Sequence, residues 1–207
     1  MHGISTMRSE KSTSRAITVR IARDANDLML VTAIRSAVYL AEQDCPMEEE
    51  FDGNDLVAAH FLGFVGNEPA GCVRVRFFGE FTKVERLAVR HQYRRSRLSF
   101  RLVREALDYS RRKGFKKAYG HAQDRLIDFW AHFGARPLGH NRKLTFSDFS
   151  YTEMVLDLEP CEDAITLDSD PYLIIRPEGD WDRPGVLDLS AGRPASSPLR
   201  DFAAARP

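Results

Sequence analysis

The chain has 207 residues, with 30 Lys and Arg balanced by 30 Asp and Glu, 43% apolar residues and 29% charged ones. That composition describes a soluble globular chain of about one domain with a sizeable core. With no run of eighteen apolar residues it argues against a membrane span, and zero formal charge argues against a generic nucleic-acid binder.

Residues 1–15 are polar and basic, lack an apolar signal region and predict a disordered start. "AITVRIA" (16–22) alternates apolar and polar residues, the period of a half-buried strand. "DANDLMLVTAIRSAVYLAEQ" (24–43) has an Asp/Asn entry and apolar Leu28, Val31, Ile34 and Val38 at helical spacing. "DCPMEEEFDGNDLVAA" (44–59), strongly acidic and broken by Pro46 and Gly53, predicts a loop or short helix. "HFLGFVG" (60–66) and "AGCVRVRFF" (70–78) form a hairpin about "NEP". In the next strand, "FTKVERLAV" (81–89), alternation puts Val84, Arg86 and Ala88 on one face and Glu85, Leu87 and Val89 on the other.

A helix follows, with Leu98, Leu102, Leu107, Val103, Ala106 and Ser110 on its inner side and Gly114 as its stop. "FKKAYGHA" (115–122) is a strand leading directly into a helix over "QDRLIDFWAHFGA" (123–135), and "RPLG" (136–139) and "YTEMVLDLE" (151–159) are the last strands. Residues 160–207 hold seven of the ten prolines. They predict a tail whose cluster of Tyr172, Leu173, Ile174, Ile175 and Trp181 is buried on the body or across a twofold homodimer. Roughly its last ten to fifteen residues are expected to be disordered. The reading divides the chain into 1–15, a domain over 16–159, and a Pro-rich tail over 160–207, with a mixed α/β sheet.

The stretch 89–117 carries eleven Lys and Arg against two acidic residues. The first amides of a helix lack intrahelical acceptors and carry the positive end of its dipole, so a turn there can hold a phosphorylated ligand. Arg101, Arg104, Arg111 and Arg112 read as the wet face of the helix, and Arg94, Arg95 and Arg97 as ligand contacts. Three widely spaced cysteines, Cys45, Cys72 and Cys161, sit in no CxxC pair, which suits a reducing cytoplasm and argues against a zinc site.

Strand "KVERLAV", then "RHQYRRSRLSFRLVREAL", then "GFKKAYGHAQDRLIDFWAHFGARPLG", resembles the core of the GCN5-related N-acetyltransferase (GNAT) superfamily. The preceding "AVYLAEQDCPMEEEFDGNDLVAAHFLGFVGNEPAGCVRVRF" looks most like its ElaA-like subgroup. The resemblance covers roughly residues 17–158. It implies a mostly antiparallel sheet with a splay between two middle parallel strands and helices on both faces. It also implies acetyl-CoA or another acyl-CoA as cosubstrate, no metal, and acyl transfer to a primary amine of a small molecule or peptide. The alternative is a catalytically degenerate GNAT-like binding or regulatory protein.

The family's (R/Q)xxGx(G/A) loop maps to Arg94, Arg95, Ser96, Arg97, Leu98 and Ser99, with Arg97 where the family has glycine. The resemblance places Leu87, Ala88 and Val89 along the ligand, with the Val89 N–H toward the thioester carbonyl. Gln123, Phe129 and Trp130 are further contacts, Trp130 standing where many members carry a tyrosine that protonates the leaving thiol. Candidate catalytic groups are Glu85 and His121 as bases, with Tyr151 or Tyr119 as the acid in place of the tyrosine missing at Trp130. Glu85 could instead be a structural partner of Arg74, Arg76 or Arg86, and His121 a structural strand-end residue. The carboxylates Glu48, Glu49, Glu50, Asp52 and Asp55 form either an amine-attracting lip or a solvated loop.

Overall fold

A computed structural model describes residues 16–194 except 141 and 143. The expected disordered start at 1–15 and the last residues of the tail lie outside the described residues. Strand β1 (Ile17–Ile21) leads into helix α1 (Ala25–Arg35), whose first turn is capped by Asp24 accepting from the Asp27 N–H. Asp27 in turn takes two 2.5 Å hydrogen bonds from Arg20, tying helix to strand. The long helix expected to residue 43 changes character after Arg35. Ser36–Leu40 widen into a π turn, closed by the Ala41 N–H donating to the Ser36 carbonyl at 3.0 Å. The acidic segment holds a short α-helix, α2 (Met47–Glu50), and a 3-10 turn at Asp55–Val57.

Strands β2 (Ala59–Val65), β3 (Glu68–Phe77) and β4 (Thr82–Val89) form a meander. Its first hairpin turns on Gly66 and Asn67 rather than on "NEP", because Val65 pairs with Glu68 and Gly66 supplies the positive φ of 63°. Helix α3 (Leu98–Arg112), strand β5 (Lys117–Gln123) and helix α4 (Ile127–Ala131) follow. The chain closes with strands β6 (Arg136–Pro137), β7 (Leu144–Phe146) and β8 (Phe149–Asp157). Strand β5 runs to Gln123, and a 3-10 turn at Asp124–Leu126 shortens the expected helix to five residues.

The sheet order is β1-β2-β3-β4-β5-β8-β6, with β7 also on β8, and every pairing is antiparallel except β4–β5. That parallel pair is registered only at Thr82↔Ala118 and Lys83↔Tyr119, and beyond it the strands part. Helix α3 covers one face with Leu98, Leu102, Val103, Ala106 and Leu107 buried, and α1 with its π turn covers the other through Val31, Ile34 and, on the turn, Val38. The approach of α3 is close: a Cβ on Gly63 would lie 2.6 Å from Leu98 Cδ1, and one on Gly71 2.8 Å from the Ala88 carbonyl. Alternation along β4 fails at Arg86, whose φ is 54°. Glu85 faces Arg74 while Ala88 faces Cys72, so β4 carries one extra residue, a bulge. Val84 and Val89 therefore enter the core under α3, and Ala88 the core under α1.

Residues 160–194 run back over α3 and β1. Trp181 is buried, its ring stacked on Tyr109 at 5.3 Å. Tyr109 donates to Glu178, and Arg23 pairs with Asp180 at 2.9 Å. This segment contains a short α-helix, α5 (Pro171–Ile174), and a 3-10 helix at Val186–Gly192.

Candidate active site

The parting of β4 from β5 opens a cavity of about 400 Å³. Gly120 makes the last close approach possible, since a Cβ there would lie 2.9 Å from the Val84 carbonyl. Of the residues expected at the site, Glu85, Leu87, His121, Gln123, Phe129, Trp130 and Tyr151 all line this space. They come from β4, β5, α4 and β8: the sheet order brings β4 and β8 to either side of β5, and α4 follows β5 through the Asp124–Leu126 turn.

His121 is half-buried with its Nε2 2.7 Å from the Tyr119 hydroxyl. Tyr119 donates to Glu153 Oε1 at 2.6 Å, and Glu153 takes two hydrogen bonds from Arg142, at 2.7 and 2.8 Å. Burial first, then the Lys83 ammonium, holds the His121 imidazole below its ordinary value. Burial and the Glu153 carboxylate push the Tyr119 phenol up, while the hydrogen bonds from Tyr119 and Arg142 keep the Glu153 carboxyl low. The result is a neutral imidazole, a neutral phenol and an ionised carboxylate in a row.

Gln123 is 8% exposed, and its Nε2 donates to the Tyr151 hydroxyl at 3.1 Å. Its Oε1 is buried with no donor among the described residues. Such an orphan acceptor is costly unless something supplies a donor.

Glu85 reaches the cavity wall with its carboxylate engaged. Oε1 accepts from Arg74 Nε at 3.0 Å, and Oε2 lies 2.6 Å from Lys83 Nζ. Arg74, fully buried, also binds Asp52 and Asp55, and the buried Arg35 binds Glu50 and Asp55. Arg86 donates to the Glu49 carbonyl at 2.5 Å and to Asp52 at 3.2 Å. Glu49 Oε2 accepts from the Ser147 backbone and hydroxyl. Most of the acidic loop is thus bound to arginines and to the β7–β8 turn rather than free in solvent.

The basic turn 94–99 lies at the start of α3. Arg97 adopts the left-handed conformation, φ 64° and ψ 13°, at the place where a glycine would do so without strain. Helix α3 has no side-chain cap, and its first intrahelical bond runs from the Arg101 N–H to the Arg97 carbonyl. The amides of Leu98, Ser99 and Phe100 therefore stand open. Arg94 pairs with Glu42 and donates to the Val89 carbonyl at 3.1 Å, and Ser96 donates to Tyr93 at 2.6 Å. Arg95 and Arg97 are exposed and have no ion pair or hydrogen bond from their side chains among the described residues.

The side chains of Ala88, Val89 and Leu98 are buried in the two cores, so only their main chain is left for a ligand. The Arg90 N–H donates to Ala70 across β3 at 2.9 Å. Strand alternation then turns the Val89 N–H to the opposite edge, toward the splay.

Two cavity features were absent from the sequence reading. Tyr39, on the π turn, donates to the Leu87 carbonyl at 2.9 Å, and burial pushes its phenol up. Its helical spacing gave no hint of this, because the wider turn redirects it. Phe146 packs on His121 at 5.6 Å from a hairpin whose turn, Ser147-Asp148, has positive φ at both positions without a glycine to announce it.

No helix among the described residues is long and apolar enough to cross a membrane. Residues 28–135 match the family described as Acetyltransferase (GNAT) family. "Putative acetyltransferase BSU40680" of Bacillus subtilis (strain 168) is 32% identical over 114 residues, covering 53% of this chain and 77% of that protein. "Uncharacterized N-acetyltransferase YjcF" of the same organism is 26% identical over 125 residues, 60% of this chain and 89% of the other. Among solved structures, Escherichia coli ElaA aligns with a TM-score of 0.60 at 23% identity, over 68% of this chain and 99% of that one. A GNAT family acetyltransferase from Elizabethkingia anophelis with acetyl-CoA bound aligns with a TM-score of 0.52 at 16% identity, over 69% and 98%. These two likenesses are of fold.

Proposed function

This chain belongs to the acetyltransferase (GNAT) family, and on that footing we propose that it transfers an acyl group, acetyl first, from acyl-CoA to a primary amine of a small molecule or peptide. The observation that carries this reading is the cavity at the β4–β5 splay, where a neutral imidazole and an unpaired buried acceptor meet. Acyl-CoA fits these residues. Gln123 Oε1 lacks the donor that a pantetheine amide N–H would supply, and the open amides of α3 with Arg95 and Arg97 suit a pyrophosphate. When bound it supplies a thioester carbonyl and a thiol that leaves readily as thiolate.

In this reading Leu87, Phe129 and Trp130 line the pantetheine path, and the Val89 N–H is the donor offered to the carbonyl oxygen. His121 takes the proton from the ammonium form of the acceptor. Glu85 holds Arg74 and Lys83 in place, one on each carboxylate oxygen. Trp130 can donate a hydrogen bond but no proton, so Tyr151 is the hydroxyl assigned to the leaving thiolate. No metal enters this reading. The three cysteines are all free, which fits a reducing cytoplasm. Ile174, Ile175 and Leu187, exposed on the C-terminal segment, are the surface assigned to a homodimer, which sedimentation at rising concentration tests.

One observation favours the second reading, a binding or regulatory protein: Arg97 holds a strained conformation in the turn that would receive the ligand. Thermal unfolding with CoA and acetyl-CoA, run beside thiol release over a panel of amines, separates the two. At a hundred times Kd the ligand adds about 2.7 kcal/mol of stability. Binding with thiol release on some amine supports acyl transfer. Binding without release supports the second reading, and no thermal shift removes acyl-CoA from both.

A further inference from the structure

The row Arg142–Glu153–Tyr119–His121 is tied together more tightly than a strand-end histidine needs. All its separations lie between 2.6 and 2.8 Å, and it joins β5 to β8, with His121 as the member that lines the cavity. Its protons can be counted. Glu153 receives Arg142 on both oxygens and is ionised, so it can only accept. Tyr119 has one proton, and that proton goes to Glu153. The Tyr119 oxygen must then accept from His121, which places the imidazole proton on Nε2. Nδ1 keeps the lone pair and has no hydrogen-bond partner among the described residues, while the ring faces the cavity.

We propose that Glu153 and Tyr119 are positioning residues that hold His121 in its Nε2–H tautomer and so present Nδ1 to the acceptor amine. The proposal rests on the acyl-transfer reading for its catalytic meaning and on the hydrogen-bond count for its geometry. In the step concerned, an N–H bond of the substrate ammonium breaks and an N–H bond forms at His121 Nδ1. The ammonium becomes a neutral amine and the imidazole an imidazolium, with no other reactant needed. The other ring proton stays on Nε2, donated to the Tyr119 oxygen, and the Glu153 charge steadies the imidazolium through that phenol. Facing the ring are Lys83 and Glu85 from β4, Tyr119 from β5, Glu153 from β8, Arg142 before β7, and Phe146. Lys83 and Arg142 oppose protonation, and Glu85 and Glu153 favour it.

The experiment is nitrogen NMR on ligand-free protein labelled at histidine, combined with steady-state kinetics of Tyr119→Phe and Glu153→Gln. The unmodified chain is expected to show His121 as a single neutral tautomer with the proton on Nε2, and both variants to show mixed tautomers. In each variant kcat falls roughly 10- to 100-fold with KM for acyl-CoA unchanged. Glu153→Gln also moves the acid limb of the rate profile to lower pH, because an anion that favours the imidazolium is gone. A proton found on Nδ1 in the unmodified chain overturns the proposal whatever the turnover. Unchanged kcat in both variants overturns the positioning role. If no amine is acylated, the functional reading fails on its own, and the tautomer measurement still decides the hydrogen-bond count.

Discussion

Arg97 concentrates two opposed costs in one side chain. Its left-handed backbone costs an L-residue about 1–2 kcal/mol relative to a helical one. Its guanidinium, exposed at the uncapped start of α3, is well placed for an anion. Arg97→Gly is therefore expected to raise thermal stability, by roughly 1 kcal/mol, and to weaken binding of CoA. Tighter binding in that variant would mean the arginine crowds the ligand instead. His121→Ala is expected to lower kcat by roughly 10²–10⁴-fold, the usual range for a general base, with no comparable change in Glu85→Gln once its stability loss is allowed for. In the sequence, His121 is a titratable strand-end residue, Gln123 a ligand contact implied by the family resemblance, and Tyr151 one of two stand-ins for a missing acid; the structure brings all three to one cavity. The sequence leaves Glu85 open between a base and a partner of Arg74, and shows no sign that Lys83 also closes on the carboxylate.

At the level of elements, the helix faces were legible where one stripe met one core. The inner side of α3 is buried as its spacing implied, from Leu98 to Ser110. Strand β4 was legible only up to Arg86, since alternation assumes a regular pleat and a bulge reverses it. The β7–β8 hairpin left little trace, because Ser147-Asp148 does the work usually given to Asn-Gly. The π turn after α1 is likewise a matter of one extra residue per turn, invisible to a 3.6 period. Close contact between α3 and the sheet depends on missing side chains. Gly71→Ala puts a methyl group 2.8 Å from the Ala88 carbonyl and 3.1 Å from both Leu98 and Leu102. It is expected to destabilise by about 1–3 kcal/mol, as overpacking does, measurable as a lower urea midpoint. An unchanged midpoint would show that α3 shifts freely.

On the scale of the molecule, the neutral total charge is achieved by pairing distant segments. Arg112 binds Asp163 and Asp182, and Lys113 binds Glu178, so acids from the C-terminal segment neutralise the end of the basic helix. Among the described residues the positive charge left without an ion pair lies nearer its start, at Arg95 and Arg97 in the turn and at Arg101 and Arg104 on the exposed face. The buried arginines 35 and 74 knit the acidic segment to the sheet, and removing one such partner costs about 3–5 kcal/mol. The pH response follows from these pairs. Arg74 holds the Asp52 and Asp55 carboxyls below 3.8, their ordinary value, despite burial that pushes the other way. Folded, they bind fewer protons than the unfolded chain, so their contribution is complete above about pH 4 and is lost as pH falls. His60, kept low by burial, acts in the same direction, starting below its ordinary 6.5. Melting temperature should decline gently below about pH 6.5 and steeply below about pH 4; a flat profile down to pH 3 would remove these groups from the account. A ribosome delivers Tyr109 long before Glu178, 69 positions further on, and Trp181 later still. Each nascent copy thus passes an interval in which the sheet can close while the plate of Phe61, Phe77 and Tyr109 lacks its cover. The pace of synthesis through the proline-rich stretch sets how long that sticky face is offered to chaperones and to neighbouring chains.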